Sequence, residues 1–573
     1  MTAVRIRRRE PGQQGDWPER YPELLRRLYA ARGADGPALA QPRLADMPSP
    51  DAMPGIEAAT ALLEDAIAND RRIVVVADFD CDGATACATG VRGLRMLGAR
   101  HVAYAVPNRA VHGYGLTPAL VEELVGLEPE LLVTVDHGIA CHAGIAAARS
   151  RGWDVLVTDH HLPGETLPDA NAIVNPALPG HDFGSRALAG VGVLFYLLLA
   201  LRKRLRGSGK LPSPEPDLSA LLDLVAVGTV ADLVPLDACN RALVSAGLRR
   251  LRAGQGSAGL NALAQVAGRE RTTLTASDIG FGIAPRINAA GRLEDMTVGI
   301  ECLLCDEPVR ALELATALDA INRERRALQQ HTTDEAEAAF AGLANDWDSP
   351  PVALCLFDPE WHAGVVGLVA SKLAQRAHRP AVVFAPSQPG SGELRGSARS
   401  IPGLHIRDAL AAVDAAHPGL IERFGGHAMA AGLTLAESKL PAFETALREA
   451  VASMLDPAIL QAELWTDGEL EPEQFSRATA DLLRDAGPWG QGWPEPLFDG
   501  EFEVLSSRAV GERHLKLELR RDGRRFNAIQ FGGWNGETPP TRVRIAYRLQ
   551  GDDWRGGDAV QLVVEHREPA EAG

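Results

Sequence analysis

The chain has 573 residues, with 58 Lys and Arg against 75 Asp and Glu, a formal charge of −17, and 46% hydrophobic and 23% charged residues. That composition excludes disorder throughout, and the length suffices for three or four domains that each bury a core. The acidic total argues against a protein that coats nucleic acid over its whole surface, although a groove answers to its local field and not to the sum.

The first residues, MTAVRIRRREPGQQGDW, are basic but hold no apolar run, so they read as neither a secretory signal nor a membrane anchor, and a cytoplasmic protein is expected. From Arg71 to Val174 the runs IVVVA, HVAYAV, LLVTV, DVLVT and AIV are continuous rather than alternating. Strands buried on both faces of a parallel sheet have this pattern, and with helical stretches between them the fold class is α/β. Ala187 to Leu201 is a run of 15 apolar residues flanked by Arg186 and Arg202. It falls short of the roughly 18 to 20 residues that cross a bilayer and predicts a buried helix. Helices continue to about Leu251, and the Ala/Leu/Glu/Arg-rich stretch from Asp306 to Asn345 predicts a long connecting helix ending before Pro350-Pro351.

A second set of strands and helices spans Val352 to Leu455, with Gly425-Gly426-His427 in its middle. From Leu464 onward, Gly-rich turns such as RRDGRR and FGGWNGE predict a small all-β barrel. Between Leu505 and Arg567 there are 12 Lys and Arg against 8 Asp and Glu, a local surplus of 4. That surplus fits either a polyanion groove or an ordinary solvated surface. The seven cysteines are scattered, and the CxxC of Cys302 and Cys305 has no second Cys/His pair nearby, so reduced thiols on a helix face are expected rather than a zinc site. The expected division is 1–45 (arm and helix), 46–305 (catalytic domain), 306–349 (connecting helix), 350–460 (second α/β domain) and 461–573 (barrel).

Three apolar strands end alike: IVVVA runs into Asp78, Asp80 and Asp82, LLVTV into Asp136-His137, and DVLVT into Asp159-His160-His161. Parallel strands present their carboxyl ends on one side of a sheet, where open α/β folds bind ligands. Carboxylates gathered in a half-buried crevice repel each other and take up protons unless cations neutralise them, which implies metal. Carboxylates suit Mg²⁺ and added imidazoles move the preference toward Mn²⁺. So many ligands suggest two ions sharing a bridging carboxylate, the arrangement for in-line displacement at phosphorus, and hence phosphoester hydrolysis. Taken singly, each Asp after a strand reads as a helix cap, Asp82 before Gly83-Ala84-Thr85 included. Taken together the caps lose to the cluster. His137 has no independent support and reads as an outer-layer or solvent-facing residue.

ADFDCDGATA, VTVDHGI, TDHHLP and VGTVADLVPL resemble, in order and spacing, the four motifs of the DHH phosphoesterase family, and GGHAMAAG resembles the glycine-rich motif of its DHHA1 domain. PNRAVHGYG, LAGVGVLFY, APRINAAGR and GSARS are similar to stretches of the RecJ branch, whose members join these two domains to an OB-fold. The resemblance, which runs from about Asp46 to the C-terminus, implies a metal-dependent 5′ to 3′ exonuclease that hydrolyses single-stranded DNA to mononucleotides in repair and recombination. It implies metal ligation by Asp78, Asp80, Asp82, Asp136, His160 and Asp232, with Asp136 as the bridge. It places His161 at the scissile phosphate, with Asp159 as a second catalytic residue. It also offers Arg109, Ser397 and Arg399 for a terminal phosphate, Arg286, Asn288 and Arg292 for internal phosphates, Tyr114 for stacking on a base, and His427 for the substrate backbone. Expected partners are a single strand with a 5′ end and, from family behaviour, a single-strand-binding protein and a helicase; a monomer is expected. Two departures stand out: His137 follows Asp136 where Asn is more common, giving DHG, and Ala398 stands where Gly is common, so its methyl group would narrow any close backbone approach.

Two rival readings share the fold. One is a DHH phosphodiesterase of cyclic dinucleotides or short oligonucleotides, which the additional basic β-module disfavours. The other is a non-catalytic replication scaffold, which the presence of every proposed ligand disfavours.

Overall fold

The computed structural model describes residues 4–12, 15–109, 111–181, 183–293, 295–344, 351–388, 390–511 and 513–570. The contacts divide the chain into two compact units, Arg9–Asn322 with Asp467–Gly573, and Met1–Arg8 with Arg323–Thr466.

The first unit is built on five parallel strands: β1 (Ile73–Ala77), β2 (Val102–Ala105), β3 (Leu131–Val135), β4 (Asp154–Thr158) and β5 (Ala172–Val174), in the order β2-β1-β3-β4-β5. Every residue of β1 and β3 is buried, which explains the unbroken Val/Leu runs: helices cover both faces and no strand face meets water. The chain leaves β1 for β2 on one side and returns for β3 on the other, so the switch point of the sheet lies between β1 and β3. In register, Ala77 sits beside Val135 and Val135 beside Thr158. The residues that follow, Asp78, Asp136 and Asp159, therefore leave three neighbouring strands side by side.

The expected apolar helix is α2 (Gly190–Gly207), packed on α1 (Cys81–Met96), which also contacts α3 (Leu222–Ala231). The residues expected as an N-terminal arm and helix join this core, since Leu24, Leu28 and Tyr29 are buried in it. The barrel belongs to the same unit. Its strands β11 (Phe498–Val510), β12 (His514–Arg521), β13 (Arg524–Gln530), β14 (Arg542–Gly551) and β15 (Val560–Pro569) close in the order β11-β12-β13-β15-β14. Its first strand starts at Phe498, within the region expected from about Leu464. Glu463–Thr466 instead pairs in parallel with Arg5–Arg8, and Arg477–Asp485 is helical, capped by the Ser476 hydroxyl on the Thr479 N–H.

The connecting helix α4 (Pro308–Ala344) starts where Pro308 supplies a fixed φ and the Glu307 carboxylate accepts the N–H groups of Val309 and Arg310. The break expected at Pro350 lies outside the described residues. The second unit holds a mixed sheet of β6 (Leu354–Phe357), β7 (Ala381–Pro386), β8 (Glu393–Arg399), β9 (Arg423–Gly426) and β10 (Ala430–Ala436), in the order β9-β10-β8-β7-β6. All seven cysteines are free thiols, and among the described residues no helix is long and apolar enough to cross a membrane.

Candidate metal centre

The end of β1 turns directly into α1, and Asp80, not Asp82, is the cap: its Oδ1 accepts the Gly83 N–H at 3.0 Å. Asp82 sits one residue inside the helix, 1% exposed, and its carboxylate points at the N-terminus of α2, accepting the N–H of Gly190 at 2.6 Å and of Val191 at 3.0 Å. A helix N-terminus favours an anion there. The approach is possible because position 190 has no side chain: a Cβ would stand 2.5 Å from Asp136 Cβ and 2.6 Å from its Oδ1. Gly228 does the same from α3, where a Cβ would fall 2.8 Å from Asp82 Oδ1.

Asp136 adopts φ +65°, a left-handed backbone that non-glycine residues seldom hold and that is found where a site over-determines the geometry. His160 Nε2 lies 3.1 Å from Asp136 Oδ1 and 3.5 Å from Asp232 Oδ2, where Asp232 ends α3. Three sets of side chains have ligand atoms within 4.8 Å of one another: Asp78, Asp80 and Asp136; Asp82, His160 and Asp232; Asp136, His160 and His161. All six expected ligands therefore meet at the switch point.

Burial, then the charge of Asp80, raises the Asp78 pKa well above the carboxylate range. Burial and Asp82 do so for Asp136 and for Asp232, and burial with Asp80 pushes Asp82 up to about 7. Asp78 Oδ1 is buried with no hydrogen-bond donor. An oxygen-rich set that resists ionisation by itself fits a hard divalent cation, with one imidazole widening the choice to Mn²⁺.

Asp159 plays a different part. It is 1% exposed and accepts from His161 Nδ1 at 2.7 Å and from the N–H groups of Ile139, His160 and His161. Burial alone would raise its pKa, but the His161 contact and these amides bring it down to about 2. Burial opposes a charge on His161 as well, and Asp159 overcomes that to raise the His161 pKa. Asp159 thus orients His161 and has no oxygen left facing outward.

The solvent-facing alternative for His137 is overturned: it is 0% exposed, its Nε2 lies 3.0 Å from the Val76 carbonyl, and burial lowers its pKa to about 4. Tyr114 places its ring edge-on to Phe79 and His161, and Arg109 stacks its guanidinium 5.2 Å from the Phe79 ring. Asn288 accepts the Cys81 N–H at 2.8 Å, while Arg292 is half-buried. Arg286, expected at internal phosphates, is instead buried, and its Nε and Nη2 reach Asp319 at 2.9 and 2.7 Å. In the second unit Arg399 Nη1 donates to Ser397 Oγ at 2.9 Å and Nε to Ser371 Oγ at 3.1 Å. Ala398 points its methyl into the core on the opposite strand face, away from Ser397 and Arg399, and His427 is exposed where β9 meets β10.

Sequence reasoning missed Gly190, Val191 and Gly228 as parts of the centre. The signal for Gly190 was a small residue at the head of an apolar helix, and that for Gly228 a glycine in the last turn of one, each meaningful only once the helix is known to face Asp82.

A DHH family N-terminal domain model matches residues 72–229, a DHHA1 domain model residues 350–453, and a RecJ OB domain model residues 466–566. The single-stranded-DNA-specific exonuclease RecJ of Dickeya dadantii is 48% identical over 99% of this chain and 100% of its own, and that of Escherichia coli K12 is 47% identical over 98% and 99%. The crystal structure of RecJ in complex with Mn²⁺ from Thermus thermophilus superposes with a TM-score of 0.78 at 33% identity, over 96% of this chain and 76% of that one. The chain belongs to the RecJ family of single-stranded-DNA-specific exonucleases.

Proposed function

We infer that this chain is a metal-dependent exonuclease that hydrolyses single-stranded DNA. The observation that carries the reading is the meeting of Asp78, Asp80, Asp82, Asp136, His160 and Asp232 at one sheet edge, in a chain so similar to RecJ along its length. Two divalent cations, Mn²⁺ or Mg²⁺, are the cofactors, which Asp78, Asp80 and Asp136, and Asp82, His160 and Asp232, would hold. When bound, such ions supply Lewis acidity and make hydroxide available from coordinated water near neutral pH.

The protein's own groups do the rest. The N–H groups of Gly190 and Val191 fix Asp82, and the strand register fixes Asp78 and Asp136. Ionised Asp159 only accepts hydrogen bonds, so His161 carries its proton on Nδ1 and turns Nε2 toward the substrate phosphate. Tyr114 and Arg109 border the centre with a ring and a cation. Ser397 with Arg399 offers a hydroxyl and a fork suited to a phosphate oxygen.

The finer reading is attack from the 5′ end with release of mononucleotides, in repair and recombination. Time-resolved digestion of 5′-labelled and 3′-labelled single strands with Mg²⁺, Mn²⁺ or chelator tests it. Immediate release of the 5′ label as a mononucleotide, abolished by chelator, is expected. Release of the 3′ label first, preference for dinucleotides, or turnover in chelator contradicts it.

A further inference from the structure

The segment ahead of Arg292 carries an aromatic side chain that the centre's ligands do not explain. Ile279–Ile283 is a π-helical turn, and Ala284–Leu293 continues it as α-helix. Most of its side chains are buried; apart from the terminal Leu293, those that reach solvent are Phe281, Pro285, Asn288 and Arg292. Steps of four, three and four residues put these on one stripe. The stripe meets the metal centre at Asn288, whose Oδ1 holds the N–H of Cys81 between Asp80 and Asp82. Phe281 lies seven residues earlier, about 10 Å along the axis at the α-helical rise.

Phe281 is 73% exposed, yet it is not on a loose element. Arg286, itself fixed by Asp319, donates to the Gly282 carbonyl, and Gly280 lies against Val230 of the helix that ends in Asp232. Next to Asp232, Leu233 is 72% exposed at φ +59°. Two exposed apolar side chains thus stand on touching elements, one on the stripe that leads to the ligand set and the other beside a ligand. A π turn re-aims side chains and recurs at functional sites. A rigid exposed ring beside a phosphodiesterase centre suits a base, whose π-face is open in a single strand and covered in a duplex.

We propose that Phe281 stacks on an unpaired base of the substrate strand, one or two nucleotides from the scissile phosphate, and so contributes to the grip on single strands. The proposal rests on the exonuclease reading and adds a contact to it. The test uses the full chain with Phe281→Ala and Phe281→Trp, and 5′-phosphorylated single strands carrying 2-aminopurine or an abasic site at successive positions. Binding is measured in chelator, and KM and kcat with Mn²⁺.

Wild type and Phe281→Trp should quench 2-aminopurine at one position near the 5′ end, and Phe281→Ala should not. Phe281→Ala should weaken binding about tenfold, within the range for loss of one base–aromatic stack, with the loss falling on KM. An abasic site at the quenched position should cost wild type about as much and cost Phe281→Ala nothing further. Equal quenching by Phe281→Ala, or abasic and alanine penalties that add in full, overturns the proposal. So does loss of the Mn²⁺-induced rise in melting temperature in Phe281→Ala, which would place the residue in the structure of the centre. Wild type that degrades single strands while any of these results is found keeps the exonuclease reading and loses the stack; wild type that degrades none loses both.

Discussion

In the barrel, arginines find carboxylates within the chain: Arg544 reaches the buried Asp499 at 2.8 Å, Arg520 reaches Glu503 at 2.6 Å, Arg542 reaches Glu501 at 2.9 Å, and Arg548 pairs with Glu565. At the edge of the parallel sheet, Asp78, Asp82, Asp136 and Asp232 instead meet chiefly each other and two imidazoles. The barrel's surplus of positive charge is largely answered by acids that precede Leu505, such as Asp499, Glu501 and Glu503. The difference teaches that a local sum of charge is a weak guide to binding, because folding can supply the counter-charges. Like charges that folding brings together are a strong guide, because they must either take up protons or be neutralised by a bound cation.

The largest effect that sharpens this comparison comes from Asp136, which shares one ligand set with Asp78 and Asp80 and lies 3.1 Å from His160 of another. Asp136→Ala is expected to lower kcat by at least roughly a hundredfold, the scale for a lost group that stabilises transition-state charge, while single-strand binding in chelator remains measurable. Near-normal Mn²⁺-dependent hydrolysis would break the bridging role. Asp159→Asn should cost about ten- to a hundredfold in activity, as for groups that orient a site from behind, with the loss accompanied by a displaced pH profile because His161 loses the partner that raises its pKa. An unchanged profile would remove Asp159 from the mechanism.

A third effect is on stability. A carboxyl whose folded pKa exceeds its unfolded value holds its proton more tightly when folded, so the metal-free protein is favoured below the unfolded pKa and loses that advantage as pH rises through the folded one. For Asp82 the window runs from the ordinary 3.8 to about 7. Mn²⁺ should therefore raise the melting temperature more at about pH 8 than at about pH 5, as read by calorimetry, and an increment independent of pH would show that these carboxyls are ionised without metal.

The barrel supplies the smaller effects. Arg544→Ala removes a cation from the buried Asp499 and should cost about 2 kcal/mol in chemical denaturation, below the value for a fully buried pair because the guanidinium is partly exposed. Arg520→Ala breaks an exposed pair and should change stability by under about 1 kcal/mol. If Arg520→Ala cost as much as Arg544→Ala, burial would not be what separates the two.

The centre was legible wherever local pattern and topology coincide. Unbroken apolar strands ending in Asp78, Asp136 and Asp159 foretell neighbouring ends, because parallel register carries the equivalence from strand to strand. Asp232 was legible only through resemblance, since a polar residue at the end of an apolar helix is common. The buried pairing of Arg286 was not legible: its partner Asp319 lies 33 residues away on another helix, and the ion pair exists only after packing. The pairing of Glu463–Thr466 was not legible, because its partner is Arg5–Arg8 at the other end of the chain. The π turn that presents Phe281 has no sequence signature comparable to a cap or a turn.

The most direct measurement of the central claim is anomalous scattering from crystals of the full chain grown with Mn²⁺. Two peaks are expected, one among Asp78, Asp80 and Asp136 and one among Asp82, His160 and Asp232, with Asp136 touching both. A single peak elsewhere, or none at the sheet edge with those carboxylates ordered, would contradict it.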